Sequence, residues 1–376
     1  MLRVALVGCG LISDQHVSQI RRISGCQLVG VCDEEPLMAR QLADRFGVQG
    51  HFSDIKEMLK TVQPQVVHIT TPGQSHFTLG KLCLEAGCHV YIEKPFTVTA
   101  EEAEVLIDLA EAKGLKATAG HNLQFNPEAI RMRELVKSGF LGGPPVHLDC
   151  VQCFTHDDPV YSKALLGDRS HWVRRLPGSL LQNLISHGIA KIAEFMPGDQ
   201  PSVNAKVFSS PFLNRIGQTD IVDEVRAVID DGGNTTAVFT FSTQLGAGTN
   251  QITVYGKKGV LIADSTNRTL VSLGQAGFKS YLRFFLAPRV YAKQYRQNSW
   301  RNIRQFLRRD FHMDYSMKVL IETFYKAIQG LGPVPISYRE ILVTARIMDK
   351  IFASIPPGST VGRRPPERPA EAMAKV

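Results

Sequence analysis

The chain has no apolar run approaching the roughly 18–20 residues that a membrane span requires, so no crossing helix is expected. It also lacks a second cysteine pair with metal-ligand spacing to complete a metal site. Its seven cysteines, at 9, 26, 32, 83, 88, 150 and 153, are odd in number and scattered. Reduced thiols are therefore expected, with neither a disulfide framework nor a metal centre. Cys150-Val-Gln-Cys153 has the CxxC interval, but it stands alone in a stretch that alternates like a strand. No repeat of fixed period is present, which excludes solenoids and propellers. The opening LRVALVGCG has a short apolar core running directly into glycines, so it reads as a strand rather than a secretion signal, and a cytoplasmic protein is expected. What the sequence does have is ordinary globular composition. With 44% hydrophobic and 21% charged residues over 376 positions, it can bury two cores.

Acidic residues are outnumbered, 35 against 43 Lys and Arg, for a formal charge of +8. Much of the excess sits between Lys279 and Arg309 and in a tail containing Arg363, Arg364 and Arg368. That distribution is read as a solvated basic helical face plus a loose tail, and nucleic acid is not expected as a partner. Phosphate-bearing substrates or an anionic membrane surface are the competing uses of the basic stretch.

Through about residue 121, strand-like and helix-like segments alternate: RVALVGCG, HVSQIRRI, CQLVGVCD, PLMARQLADRFG, SDIKEMLK, QVVHITT, SHFTLGKLCLEAG, HVYIE and TAEEAEVLIDLAEAKG. Ser53 or Asp54 is predicted to cap one helix, while Thr99 and Gly114 bound another. Such alternation predicts a doubly wound parallel sheet in residues 1–121. Period-two segments then take over, with turn signals such as Asp231-Gly232-Gly233. Residues 122–355 are predicted to form an α+β domain with an open, largely antiparallel sheet, covered on one face by helices around 178–198, 315–330 and 337–355. Residues 356–376, rich in Pro, Gly and Arg, are expected to be disordered.

Gly8-Cys9-Gly10-Leu11-Ile12-Ser13 follows the first strand and opens the first helix. Gly8 and Gly10 permit a tight turn and close approach of a pyrophosphate, while the backbone from Leu11 and Ile12 onward supplies helix N-terminal donors. The second strand ends in Asp33, about twenty residues later, as a dinucleotide site requires. A carboxylate there accepts the ribose hydroxyl protons and repels a 2′-phosphate. NAD(H) is therefore expected over NADP(H), the more so beside Glu34 and Glu35.

These strings, together with His16, TTPGQSH, AGCHVYIEKPFTVTAEEA and PGSLLQNLISHG, resemble the Gfo/Idh/MocA oxidoreductases colinearly to about residue 354. The resemblance implies a Rossmann domain followed by an α/β domain with an open sheet. It also implies oxidation or reduction of a hydroxyl-bearing carbon on a sugar, inositol or nucleotide sugar. His187 matches the family's catalytic histidine, and Asn183 stands where many members carry Asp. Thr71, Pro72 and His76 fit the loop bordering the cofactor's adenosine and pyrophosphate. Asn122 falls near the nicotinamide ribose, Gln124 replaces a common Arg, and Trp172 lies in a segment that approaches the cofactor. A homodimer or homotetramer through the second sheet is implied as well.

Glu93-Lys94-Pro95 also makes physical sense unaided. Parallel sheets bind ligands at the carboxyl ends of their strands, where Glu93 and Lys94 should emerge. Pro95 biases Lys94 away from helix, so the amine is aimed into the cleft. Desolvation and a neighbouring nicotinamide charge would lower the amine's pKa and fit it to take a substrate hydroxyl proton. His187 is the second candidate for that role. Asn183 can orient a hydroxyl but cannot balance an imidazolium charge. That substitution also sustains a competing reading, a non-catalytic NAD-binding regulatory protein on the same scaffold. The Tyr and Trp residues interleaved with cations in 279–309 suggest a nucleotide-sugar substrate.

Overall fold

The computed structural model describes residues 1–155, 168, 171–218, 221–246, 249–274, 281–308, 310 and 315–355. The predictions for 356–376, and for Lys279 and Arg309, lie outside the described residues. Two sheets organise the rest. In the first, β1 (Leu2–Val7), β2 (Cys26–Cys32), β3 (His51–Phe52), β4 (Val66–Ile69), β5 (His89–Ile92) and β6 (Ala117–Ala119) lie in the order 3-2-1-4-5-6. Every pairing is parallel. Such a sheet is covered on both faces, which is why its strands read as nearly continuous apolar runs, fully buried in β4. The intervening helices are α1 (Ser13–Ile20), α2 (Pro36–Phe46), α3 (Ile55–Val62), α4 (His76–Glu85) and α5 (Ala100–Ala112). Capping follows the sequence: Asp54 accepts from Glu57 N–H at 2.8 Å, and Thr99 accepts from Glu102 N–H at 3.2 Å. Gly114 ends the α5 turn at φ +65°.

After α6 (Pro127–Lys137) the second sheet runs β7 (His147–Cys153), β8 (Ser202–Phe208), β9 (Glu224–Asp230), β10 (Thr236–Ser242), β11 (Asn250–Tyr255), β12 (Gly259–Asp264) and β13 (Thr269–Gly274). Its spatial order is 13-12-11-7-10-9-8. All pairs are antiparallel except β7 with β10, so the sheet is mixed but largely antiparallel. Buried Cys150, Ala227, Ile229, Ala237, Phe239, Phe241, Ile252 and Val254 meet α8 (Ser186–Phe195) and α12 (Tyr338–Ala353) through Ile189, Ile192, Val343, Ile347 and Ile351. The remaining helices are α7 (Ser179–Leu184), α9 (Pro211–Arg215), α10 (Leu282–Leu307) and α11 (Tyr315–Ile328).

Two elements differ from expectation. Helix α11 does not cover the second sheet. Its Met317, Leu320, Ile321 and Phe324 are buried in the core of the first, with Tyr91, Val90 and Ile107. The continuous helix expected over 178–198 is instead divided between α7 and α8 at Ile185. The cause is Gln152 on β7. Its amide donates to Leu184 C=O at 2.9 Å and accepts from Gly188 N–H at 3.1 Å, inserting between two groups that would bond each other in an unbroken helix. A Cβ at Gly188 would sit 2.5 Å from Gln152 Oε1, so only glycine leaves room for the insertion.

Candidate active site

The strand ends of the first sheet converge on a single edge. Gly8, at the end of β1, adopts φ +95°, and a Cβ there would meet Thr71 N and Cγ2 at 2.7 Å. The glycine turn can therefore press against the β4 loop only as glycine. Leu11 is 93% exposed and Gly10 is exposed, so the turn's backbone opens outward. Asp33 fixes it from the side: Oδ2 accepts from Cys9 N–H at 2.6 Å and Oδ1 from Glu35 N–H at 2.9 Å. Ser13, the small residue at the third fingerprint position, is fully buried and donates through Oγ to Gly10 C=O at 2.5 Å. An open glycine turn, a helix N-terminus and a carboxylate at the second strand's end make a set that fits a dinucleotide.

Glu93 and Lys94 leave the end of β5 together. Lys94 Nζ donates to Asn183 C=O at 3.0 Å and to Asn183 Oδ1 at 3.1 Å, so α7 supplies the amine with neutral acceptors only. Burial lowers the Lys94 pKa, and the charge of Glu93 works against that fall. The Lys94–Pro95 peptide is cis. His187, at the start of α8, is in edge-to-face contact with His121, their ring centroids 5.9 Å apart. Burial holds the His187 pKa well below the usual histidine range, helped by the positive charges of Lys94 and Lys191. Burial takes His121 down to about 4. Both rings are neutral at physiological pH. His187 Nδ1 and both His121 nitrogens are buried with no hydrogen-bond partner. They are buried polar atoms close to the Lys94 amine, whose charge acts on both rings.

Behind the amine runs a chain of buried polar groups. Tyr325 Oη lies 2.8 Å from His68 Nε2, His68 Nδ1 lies 2.9 Å from His16 Nδ1, and His16 Nε2 lies 2.8 Å from Glu93 Oε1. His68 stacks on Tyr91 at 4.6 Å. Burial raises the Tyr325 pKa far above its ordinary value, so the phenol keeps its proton. Burial also holds the His68 pKa well below the usual range, so it is neutral and carries one ring proton, on either nitrogen. His16 donates through Nε2 to Glu93, since an ionised carboxylate can only accept. Burial alone would raise the Glu93 pKa, but the His16 bond, the Lys94 charge and the Lys94 N–H at 3.1 Å outweigh it, leaving an ionised acceptor. Gly120, at the end of β6, closes on this carboxylate: a Cβ there would lie 2.7 Å from Glu93 Oε1.

The structure brings Glu93, Lys94, Asn183 and His187 together. Thr71 and Pro72 enter the turn beside Gly8, where Thr71 Oγ1 accepts from Ser75 at 2.7 Å. His76 is buried, and its nitrogens lie 2.7 Å from Pro95 C=O and 2.8 Å from Thr71 C=O. Its ring therefore ties the two loops together rather than facing outward. Asn122 begins a short 3-10 turn directly after His121. Trp172 packs on the second core, while its carbonyl accepts from Gln74 at 2.7 Å, closing residues 172–175 over the β4 loop. Gln124 reaches Glu194, which Arg133 also engages. Sequence reasoning missed His121, His68 and Tyr325. A histidine directly after the last strand was a signal for the first; nothing local marks the other two.

Among the described residues, α10 makes its hydrogen bonds to the edge strand β13 and the adjoining 267–268 turn, so its aromatics are not drawn into the Lys94 cluster. Cys150 and Cys153 are buried on β7, and burial pushes the Cys150 thiol up to about 12, far from a reactive thiolate.

Comparison with known proteins agrees with this geometry. Residues 2–121 match the oxidoreductase family with an NAD-binding Rossmann fold. Over 142 residues the chain is 35% identical to D-glucoside 3-dehydrogenase of Escherichia coli, which covers 38% of this chain and 40% of that protein. The chain thus matches less than half the length of the first curated relatives. Solved structures share the fold over 94% of the chain. UDP-N-acetylglucosamine 3-dehydrogenase of Acidithiobacillus ferrooxidans superposes with a TM-score of 0.69 at 20% identity, over 97% of its own length. The WlbA dehydrogenase of Bordetella pertussis, solved with NADH and UDP-GlcNAcA, does so with a TM-score of 0.69 at 16% identity, over 96% of its length. The first domain therefore belongs to the NAD-binding Rossmann domains of the Gfo/Idh/MocA oxidoreductase family, and the fold is shared with solved dehydrogenases over 94% of the chain.

Proposed function

We propose that the protein is an NAD(H)-dependent oxidoreductase that interconverts a hydroxyl-bearing carbon of a sugar, polyol or nucleotide sugar with its carbonyl form. Gly8, Gly10, Leu11, Ile12, Asp33, Thr71 and Pro72 would hold the dinucleotide, with Asn122 and Trp172 bordering its nicotinamide end. Asp33, flanked by Glu34 and Glu35, favours NAD(H) over NADP(H). When bound, the nicotinamide supplies the hydride acceptor or donor.

The observation that carries the proposal is the environment of Lys94. Its amine is desolvated, bonded only to the carbonyl and amide oxygens of Asn183, and adjacent to the neutral His187 and His121 pair. A lowered pKa gives the neutral amine a larger population near neutrality, and a neutral amine can take the substrate hydroxyl proton while the carbon loses hydride. In the reverse direction the ammonium returns that proton. His187, whose Nδ1 is buried and unpartnered, would orient the hydroxyl. The names of the relatives, dehydrogenases of glucosides and of UDP-N-acetylglucosamine, support a sugar or nucleotide sugar as substrate. Exposed Val228 and Tyr255, on the uncovered face of the second sheet, support self-association there.

The test is Lys94→Met. Purified protein is screened with NAD against free sugars, inositol and UDP-sugars, and NADH formation is followed. The variant should lose turnover by about three orders of magnitude or more while binding NAD within a fewfold of wild type by calorimetry. Turnover preserved in the variant would remove Lys94 from the chemistry. A wild-type protein that binds NAD yet reduces none of it with any compound would favour the regulatory reading.

A further inference from the structure

Helix α10 is amphipathic in an inverted sense. Its inward face is polar. Gln294 accepts from Ser272 N–H at 2.8 Å and donates to Ser272 C=O at 2.9 Å. Asn298 accepts from Leu270 N–H at 3.3 Å and donates to Leu270 C=O at 2.9 Å. These amides satisfy the open edge of β13, the last strand of the second sheet. Because the helix docks by hydrogen bonds, its apolar residues have no core to enter and face solvent.

Phe285, Arg289, Lys293, Arg296, Trp300 and Arg304 follow one another at steps of three or four residues, a single stripe along the helix. All six are exposed, Phe285 at 67% and Trp300 at 65%. Phe284 (79%) and Leu307 (73%) flank them. Residues 281–308 contain seven cations and not one Asp or Glu.

We propose that α10 is a membrane-docking helix that lies along an anionic bilayer surface. Lys293 and the arginines meet phosphate headgroups, while Phe285 and Trp300 enter the headgroup–acyl boundary. Charge complementarity favours this occupant over a second copy of the same helix, since that pairing would oppose cation to cation across the contact. Single-stranded nucleic acid would use the cations and aromatics. It gives no role to exposed Leu307, Ile303 and Val290, which offer no surface on which a base can stack. Among the described residues no helix is long and apolar enough to cross a membrane, so the contact is peripheral. The stripe is separate from the Lys94 cluster, so the inference stands or falls apart from the proposed chemistry.

The experiment is flotation of the full chain with vesicles of phosphatidylglycerol and phosphatidylcholine, and with phosphatidylcholine alone. Binding is expected to the anionic vesicles only, weakening as salt rises, with a blue shift of Trp300 emission in a Trp172→Phe background. At about fivefold per cation, Arg289→Gln/Lys293→Gln/Arg296→Gln should bind on the order of 100-fold more weakly. Phe285→Ser/Trp300→Ser should also release the protein. Equal binding to neutral vesicles, or none to anionic ones, would overturn the proposal. So would tighter binding to a single-stranded oligonucleotide, or loss of a dimer in either variant without any vesicle association by wild type. The blue shift reads the wild-type stripe directly, so it decides even if a variant folds poorly.

Discussion

Glu93→Gln is the most informative perturbation, because an amide keeps the carboxylate's shape and cannot keep both of its bonds. One Glu93 oxygen accepts from His16 at 2.8 Å and the other from Lys94 N–H at 3.1 Å. Glutamine has one acceptor oxygen. If it faces His16, the amide NH2 confronts a backbone donor. If it faces Lys94, its NH2 meets His16 Nε2, whose proton must move to the other ring nitrogen. Either way one partner of the carboxylate is stranded or must be re-paired, at about 1–3 kcal/mol, and a bond to an ionised group worth about 1.5–3 kcal/mol is weakened. A loss of about 2–4 kcal/mol is expected, or a melting midpoint lower by roughly 3–5 °C for a chain of 376 residues. Because the folded Glu93 pKa is depressed, its charge stabilises the wild type above the ordinary carboxylate pKa, and that contribution fades as pH falls through the folded value. The variant should lack that part of the acid sensitivity. The same carboxylate is the charge that raises the Lys94 pKa. Without it the amine stays neutral to lower pH, so the acid limb of the kcat/KM profile for alcohol oxidation should move down. Calorimetric melts at several pH values and a pH–rate profile measure both. An unchanged midpoint, or an acid limb that moves upward, would refute the assignment of Glu93 as the ionised end of the buried chain.

Other perturbations separate the remaining parts. Asn183→Asp places a carboxylate where an amide oxygen now lies 3.1 Å from Lys94 Nζ, so the ammonium is favoured and the acid limb of the same profile should shift to higher pH. Gly120→Ala forces a methyl to within 2.7 Å of Glu93 Oε1 and 3.0 Å of its Cα; a cost of about 1–3 kcal/mol is expected in denaturant titration. Tyr325→Phe leaves His68 Nε2 without its partner, at about 1–3 kcal/mol, but leaves Glu93 ionised. Its melting point should fall while the pH–rate profile keeps its shape, the opposite pairing to Asn183→Asp.

Sequence periodicity and punctuation were enough to read the first sheet, its caps and the glycine turn, because each depends on near neighbours or on a motif of fixed spacing. Thr99 and Asp54 cap the helices they precede, and Asp33 meets Cys9 at the interval a dinucleotide-binding unit fixes. The division of the 178–198 helix was not legible, since its cause is one side chain on a strand some thirty residues earlier. Gln152 resembles any other polar residue on an alternating strand until the fold brings it to the Leu184 carbonyl. The destination of α11 was hidden for a related reason. An amphipathic period announces a buried face but not the surface that buries it. Lys94 was conspicuous because a strand end and a proline frame it. His68 sits inside an apolar run whose pattern says only that it is buried.

The placement of α11 links fold and chemistry. Leu320, Ile321 and Phe324 are completely buried against the first sheet, each contributing roughly 1.5–3 kcal/mol by the area it removes from water. That packing carries Tyr325 to His68, across 257 positions of sequence, and so closes the far end of the buried chain. At its near end the His16 bond and the Lys94 charge keep Glu93 ionised in a site that burial would otherwise neutralise. The amine next to it is poised between desolvation, which favours the neutral form, and that retained charge, which opposes it. An isolated first domain would keep the glycine turn, Asp33, Glu93 and Lys94, but would lose both the phenol bonded to His68 and the Asn183 oxygens that hold the amine. Its residues could still fit a dinucleotide, while the proposed proton chemistry depends on segments that follow it in sequence and fold back against it.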